Sequence, residues 1–480
     1  MFRWTILAGA ALISPLGAAA QQQPPAGDSR LAEILQSVSA ARIEADIRKL
    51  VSFGTRHSRS DTLSPARGIG AARRWIRSHF DSVSAGCGGC LEVHYVAELV
   101  SGLQRVPTPT SIVSVVAMQR GATDPDRVLI ISGHYDSRVS DALNAVDSAP
   151  GANDDGSGTA AVLEAARVLS RYRFNATVVY AALAGEEQGL LGGQAVARWV
   201  QARNWRVAGV LNNDIIGNTR GVDGVSDNRT VRVFSEGTPP TETDAERRAR
   251  RATGGEVDGV SRQLARYVKA IADRHVPAVD VWLIYRLDRY GRGGDHRAFA
   301  DLGYPAVRIT EAHEDYTRQH QDIRVENGIA YGDVADAVDF AYTARITGLN
   351  AVTLASLAWA PGPPRNVRVT GGGRPAAVLT WEPPRDSANV AGYRVYWRRT
   401  DRSTWDHSEW AGRGNRHTFT GRVIDNYFFG VAAVGCGRER ERGGLPFAAA
   451  DRGRWRQGVT ARAWRRRLLR PVRDDGAEQE

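Results

Sequence analysis

The sequence predicts an α/β fold, a mostly parallel central sheet covered by helices on both faces, followed by a small all-β sandwich. Three observations carry this prediction. Short apolar runs at 128–132, 175–184 and 207–211 alternate with stretches whose apolar residues recur every three or four positions. Strands alternating with helices imply a parallel sheet buried on both faces. Each run ends in acidic or histidine residues, namely Gly133-His134-Tyr135-Asp136-Ser137, Gly185-Glu186-Glu187 and Asn212-Asn213-Asp214. Past residue 360 the apolar period drops to two, with aromatics at regular intervals, the pattern of a β-sandwich.

In chain order, Arg3, the apolar stretch Ile6 to Leu16 and the small residues Ala18-Ala19-Ala20 form an export signal over 1–20. That stretch is shorter than the about 20 apolar residues a membrane span needs, and no later segment is long and apolar enough. The expected location is therefore secreted or periplasmic. The first domain, 29–349, opens with helical patterns at 31–51 and 66–80, then a hairpin from 91–99 and 111–118. Asp154 and Asp155 occupy a Gly-rich turn entering the helix that begins near Thr159. The polar insertion 237–259 reads as a mobile surface loop. A helix at 261–274, strands at 279–285 and 306–310, and a helix at 327–347 complete the domain. A Pro-rich linker over 350–364 leads to the sandwich at 365–435.

The chain has 480 residues, of which 42% are hydrophobic and 24% charged, the profile of a globular protein. Its net charge is +10, but from Gly435 onward 12 Arg face 7 acidic residues, so half the excess lies in the tail. Nucleic-acid binding needs a basic face on the folded domain, and is not expected. At 436–480 the strand pattern breaks into Arg/Gly-rich sequence. It reads either as a basic tail for acidic surfaces or as a reading-frame error, which would also account for Cys436. Cys87-Gly-Gly-Cys90 has no partner motif, and a local disulfide pinning a surface loop is expected.

A single carboxylate at a strand end is ordinary. The recurrence of His134, Asp154, Glu187, Asp214 and a later histidine at successive strand ends points to a metal site, at the place where α/β sheets gather ligands. Two close divalent ions need a bridging carboxylate and about two more ligands each. Nitrogen and oxygen ligands without thiolates suit zinc. Asp136 is placed to fix the tautomer of His134. Glu186, adjacent to Glu187, leaves one carboxylate to bind metal and one to take a proton.

These motifs resemble the secreted dizinc aminopeptidases, in the family that includes glutamate carboxypeptidase II, glutaminyl cyclases and the transferrin receptor. The matching segments are G-H-Y-D-S at 133–137, P-G-A-N-D-D-G-S-G at 150–158, G-E-E-Q-G-L at 185–190, N-N-D at 212–214, and G-D-H-R-A-F with G-Y-P-A at 294–306. The resemblance implies a zinc exopeptidase-like fold holding two zinc ions. It implies His134 and Asp214 on one zinc, Glu187 and a histidine on the other, and Asp154 bridging. It implies Glu186 as general base, a cis Asp154–Asp155 bond, Asp295 as an active-site carboxylate and Tyr290 as a help to the oxyanion. The last ligand departs from the family spacing; His320 is the candidate and His313 the alternative. His57, His79, His94 and His275 read as surface or packing residues.

Trp381 before Glu-Pro-Pro and the strand Tyr393-Arg-Val-Tyr-Trp resemble a fibronectin type III domain, an accessory for surface or glycan contact or a passive appendage. The expected activity is hydrolysis of N-terminal residues from peptides. A glutaminyl cyclase or carboxypeptidase on the same scaffold is the alternative. A non-catalytic binding or adhesion protein is the other class, and the complete ligand set argues against it.

Overall fold

A computed structural model describes residues 28–435 and the two-residue strand 447–448. The export signal and the question of the tail's reading frame lie outside the described residues. The first domain holds an eight-stranded sheet in the order β1-β2-β4-β3-β5-β8-β6-β7. The strands are β1 (Leu91–Val100), β2 (Thr110–Gln119), β3 (Asp124–His134), β4 (Ala176–Leu183), β5 (Arg206–Asn213), β6 (Thr230–Ser235), β7 (Asp280–Ile284) and β8 (Ala306–Glu311). The middle four, β4-β3-β5-β8, are parallel, whereas β2 and β6 join them antiparallel. β1 and β2 form the expected hairpin.

Both faces of the sheet are covered. Helices α1 (Ser29–Ser37), α2 (Ala40–Val51), α3 (Gly68–Gly86), α4 (Gly156–Leu169), α5 (Leu191–Ala202), α6 (Asp244–Thr253), α7 (Val260–His275), α8 (His296–Ala300) and α9 (Phe340–Trp359) complete the domain. Along β3 the side chains alternate, as pleating requires. Leu129 and Ile131 join the core under α3, α4, α7 and α9, while Val128 and Ile130 join the core under α5 and α8. The Cys87–Cys90 disulfide closes the turn after α3.

Three expectations need correction. The insertion 237–259 is not loop throughout, since it contains α6. That helix starts in a reciprocal Thr243–Glu246 cap and buries no residue, so apolar periodicity could not reveal it. The helix expected at 327–347 starts at Phe340 instead, because Arg324–Glu326 (β9) and Ile329–Tyr331 (β10) pair across the turn Asn327-Gly328. That helix then runs to Trp359, its second half buried, so the expected linker over 350–364 is helix for its first ten residues.

The sandwich packs a three-stranded sheet, β11 (Arg365–Thr370), β12 (Ala376–Glu382) and β15 (Arg416–Thr420), on a four-stranded one. The latter consists of β13 (Val390–Arg399), β14 (His407–Gly412), β16 (Tyr427–Gly435) and β17 (Phe447–Ala448). Trp381, Tyr393, Trp397, Phe419 and Phe429 fill the space between them. It is docked on the first domain. Arg398, 0% exposed, reaches Asp258 Oδ1 at 2.6 Å, and Arg266 of α7 meets the same oxygen at 2.9 Å. Trp405 Nε1 donates to Gln263 Oε1 at 3.1 Å, and Arg266 Nε donates to the Ser403 carbonyl.

Candidate metal centre

The carboxyl ends of β3, β4, β5 and β8 converge on one spot, and the loops there carry the predicted residues. Close packing of β3 on α4 sets the frame. A Cβ on Gly133 would come within 2.4 Å of the Gly158 carbonyl carbon, so glycine lets strand and helix touch. Asp155 caps α4 by accepting from Gly158 N at 2.8 Å. It also accepts from His134 N at 3.0 Å and Ile215 N at 3.3 Å, tying the ends of β3 and β5 to the helix start. The Asp154–Asp155 peptide is cis, as the resemblance implied.

Five side chains form two groups that share Asp154. His134, Asp154 and Asp214 offer one set of donor atoms, and Asp154, Glu187 and His320 the other, each set within 4.8 Å of one another. His134 Nε2 lies 3.3 Å from Asp154 Oδ1 and 3.9 Å from Asp214 Oδ1. His320 Nε2 lies 3.0 Å from Asp154 Oδ2 and 3.1 Å from Glu187 Oε2. Burial opposes charge on both rings. Even so, Glu187 and Asp154 hold the His320 imidazole up to about 10, and Asp136 and Asp154 hold His134 well above its ordinary value. The place calls for positive charge.

The remaining predicted residues divide. Asp136 is buried, but its carboxylate accepts from the backbone N–H groups of Glu186 and Glu187, at 3.3 and 3.2 Å. His134 Nδ1 sits closer to the Asp136 carbonyl, at 3.1 Å, than to its carboxylate, at 3.5 Å. The tautomer is therefore set chiefly by the backbone of Asp136, and the carboxylate steadies the Glu186–Glu187 turn. Glu186 is half-buried beside the cluster, and burial with Asp214 and Glu187 nearby lifts its carboxyl well above the usual range, against the pull of His134. Asp295 is buried against Gly193, with both carboxylate oxygens lacking a hydrogen-bond donor. Tyr290, on the loop after β7, belongs to neither donor group and is 90% exposed. His313 pairs with Asp223 outside both groups, whereas His320 lies within one of them. His57 is a packing residue held to the Ala142 carbonyl.

Several contributors escaped the sequence reading. Asp333 accepts from Asn153 N at 2.9 Å and Asp154 N at 2.7 Å, fixing the backbone that carries the shared carboxylate. Arg56, fully buried, donates to the carbonyls of Tyr135, Pro150 and Gly151 and holds the same loop from below. Arg308 reaches Asp214 Oδ1 at 2.8 Å, and Arg138 reaches Glu187 Oε2 at 3.0 Å and His320 Nδ1 at 2.7 Å. Only Arg308 carried a signal, an arginine inside the apolar strand Ala306-Val-Arg-Ile-Thr.

The residues fit zinc. His134 Nε2 and Glu187 Oε1 are buried without a hydrogen-bond partner, an arrangement that native interiors avoid unless another ligand completes it. The donors are imidazole nitrogen and carboxylate oxygen, which zinc accepts.

The chain is similar to known proteins. Peptidase family M28 matches residues 114–339, and the fibronectin type III domain matches residues 362–438. A probable zinc metalloprotease of Pyrenophora teres f. teres is 42% identical over 449 residues, covering 91% of this chain and 90% of its own length. One from Pyricularia oryzae is 43% identical over 441 residues, covering 90% and 87%. The crystal structure of the Legionella pneumophila LapA aminopeptidase shares the fold at TM-score 0.51 and 20% identity, over 74% of this chain and 81% of that one. Fold and relatives together define a zinc metallopeptidase. The chain belongs to peptidase family M28, with a fibronectin type III domain at its C-terminal side.

Proposed function

We propose that the protein is a dizinc exopeptidase that removes N-terminal residues from peptides. The observation that carries this reading is the sharing of Asp154 between two three-residue donor groups. His134 and Asp214 would hold one zinc, Glu187 and His320 the other, and Asp154 both. Bound zinc supplies Lewis acidity, polarising the scissile carbonyl and acidifying the attacking water. Glu186 lies next to the ligand Glu187 and is not needed to hold metal. Its carboxylate accepts the proton from the attacking water and returns it to the leaving amine nitrogen as the C–N bond breaks. Arg138 and Arg308 orient the carboxylates of Glu187 and Asp214, and Asp333 fixes the backbone of Asp154. The leader at 1–20 supports a secreted or periplasmic location.

The test is a matched panel of aminoacyl and peptidyl substrates with free or acetylated N-termini, assayed with the zinc-loaded chain alongside elemental analysis. About two zinc ions per chain and cleavage confined to free N-termini are expected. Equal cleavage of acetylated substrates would reject the aminopeptidase reading, and one ion that added zinc never supplements would reject the paired centre.

A further inference from the structure

A cavity of about 470 Å³ opens between β6 and the loops after β7 and β8, and hydrolysis as described makes no use of it. Its wall carries Arg232 of β6, Arg286, Arg289 and Arg292 of the loop after β7, and Glu314 of the loop after β8. Glu314 is already saturated. Arg232 Nη2 reaches it at 2.6 Å, Arg289 Nη1 at 2.9 Å, Arg292 Nη1 at 3.4 Å and Gln319 Nε2 at 3.0 Å. Against the upward push of burial, Arg289 and Arg232 hold the Glu314 carboxyl down at about 2. Asp288, behind the wall, accepts from Arg289 but shares its other oxygen with Arg308. Even counting Asp288 in full, four arginines face two carboxylates, leaving two positive charges unmatched. Arg286 forms no ion pair among the described residues, and its guanidinium lies 5.8 Å from the exposed Tyr290 ring.

The cavity is wired to both donor groups. Gln319, bonded to Glu314 and 3.2 Å from Arg292 Nη1, immediately precedes His320. On the other side, Arg308 bridges the Gly293 carbonyl at 2.7 Å and Asp214 at 2.8 Å. A group seated among these arginines would therefore meet a wall that is tied by hydrogen bonds and chain continuity to both donor groups. Guanidinium groups converging on an open, partly desolvated cavity form the donor array that binds a carboxylate in two-pronged fashion. Arg286 is exposed without an ion pair among the described residues and Arg292 is held to Glu314 only at 3.4 Å, so both guanidiniums are free to meet a ligand carboxylate.

We propose that this cavity is a carboxylate-binding subsite, so that the preferred substrate carries a negative charge close to the scissile bond. This names the substrate class for the peptidase reading above and rests on it. The carboxylate has two possible sources, an acidic side chain or the free C-terminus of a short peptide.

The experiment measures kcat/KM for the zinc-loaded full chain in two arms. One compares glutamyl and aspartyl substrates with glutaminyl, asparaginyl and leucyl ones. The other compares dipeptides with their C-terminal amides. At least about a tenfold preference for the charged member is expected in one arm, which identifies the source, as one charge-assisted hydrogen bond implies. In Arg286→Gln/Arg292→Gln the charged-to-neutral ratio should collapse about tenfold. Calorimetry of glutarate against glutaramide gives a readout independent of turnover: glutarate should bind the wild type at least fivefold more tightly than the double variant. Hydrolysis of leucyl substrates with no charge preference in either arm would overturn the subsite and leave the peptidase reading standing. So would equal glutarate affinity of wild type and variant. No hydrolysis of any substrate would overturn the peptidase reading, and the proposal with it.

Discussion

Asp333 offers a measurable test of how the shared ligand is held. Its carboxylate accepts from Asn153 N with both oxygens at 2.9 Å and from Asp154 N at 2.7 Å, and all three residues are buried. Asp333→Ala leaves two buried backbone donors without an acceptor, at about 1–3 kcal/mol each. A water entering the vacated polar space recovers part of that, so a net loss of about 2–4 kcal/mol is expected. Asp333→Asn keeps one acceptor oxygen and should lose less than half as much. Urea unfolding followed by tryptophan fluorescence measures the stability, and competition with a chelator measures zinc affinity. Because the lost bonds fix the backbone of Asp154, zinc should bind about tenfold more weakly to the Ala variant, as when a group supporting a ligand is removed. Unfolding within about 0.5 kcal/mol of wild type, with unaltered zinc affinity, would refute the reasoning. A stability loss with zinc affinity intact would show that Asp333 supports the fold but not the ligand.

Glu186→Gln should keep its zinc and lose roughly 10²–10⁴-fold in turnover, whereas Glu187→Gln should lose zinc; elemental analysis beside kinetics separates the two, and turnover of the former within about threefold of wild type would sink the assignment. Asp258→Ala leaves Arg266 and Arg398 buried and unpaired, at about 3–5 kcal/mol, so the sandwich should unfold earlier and residues 360–364 become sensitive to protease; one unchanged transition would contradict this. Burial and the nearby Glu164 push the Asp46 carboxyl up to about 7, against the pull of Arg42 and Arg167. A raised acid pKa makes the native state less stable as pH climbs from about 4 to about 7. His79, 3.9 Å away and pushed down to about 4 by burial, has the opposite effect up to about 6.5. Asp46→Asn removes the falling contribution, so its stability should rise over that window relative to wild type by on the order of 2 kcal/mol. Superimposable profiles from urea midpoints would count against it.

The parallel strands and their polar ends were legible because the two signals are local: a β-branched run, then charge at its last residue. His134, Asp154, Glu187 and Asp214 came from that pattern, and the structure gathers them with His320. What stayed hidden depends on long-range packing. The exposure of Tyr290 rests on the path of its loop, and Arg138 carries no mark beyond following Asp136 and Ser137. Two misses had signals that went unused. Asn327-Gly328, both at positive φ, is the dipeptide of a two-residue hairpin turn. Thr243 with Glu246 is the start signature of α6, and apolar counting overlooks a helix that buries nothing.

The donor residues are dispersed along the chain, from His134 near the end of β3 to His320 beyond β8. No contiguous segment shorter than that span contains both groups, and the strands that deliver them pair side by side only when the sheet is complete. A nascent chain still short of residue 320 therefore has no second group to offer, however well its earlier strands have formed. The same holds for a fragment cut within the sheet. On the proposed reading, the sequence order of the donors thus leaves the paired centre incomplete until the chain has been made through residue 320.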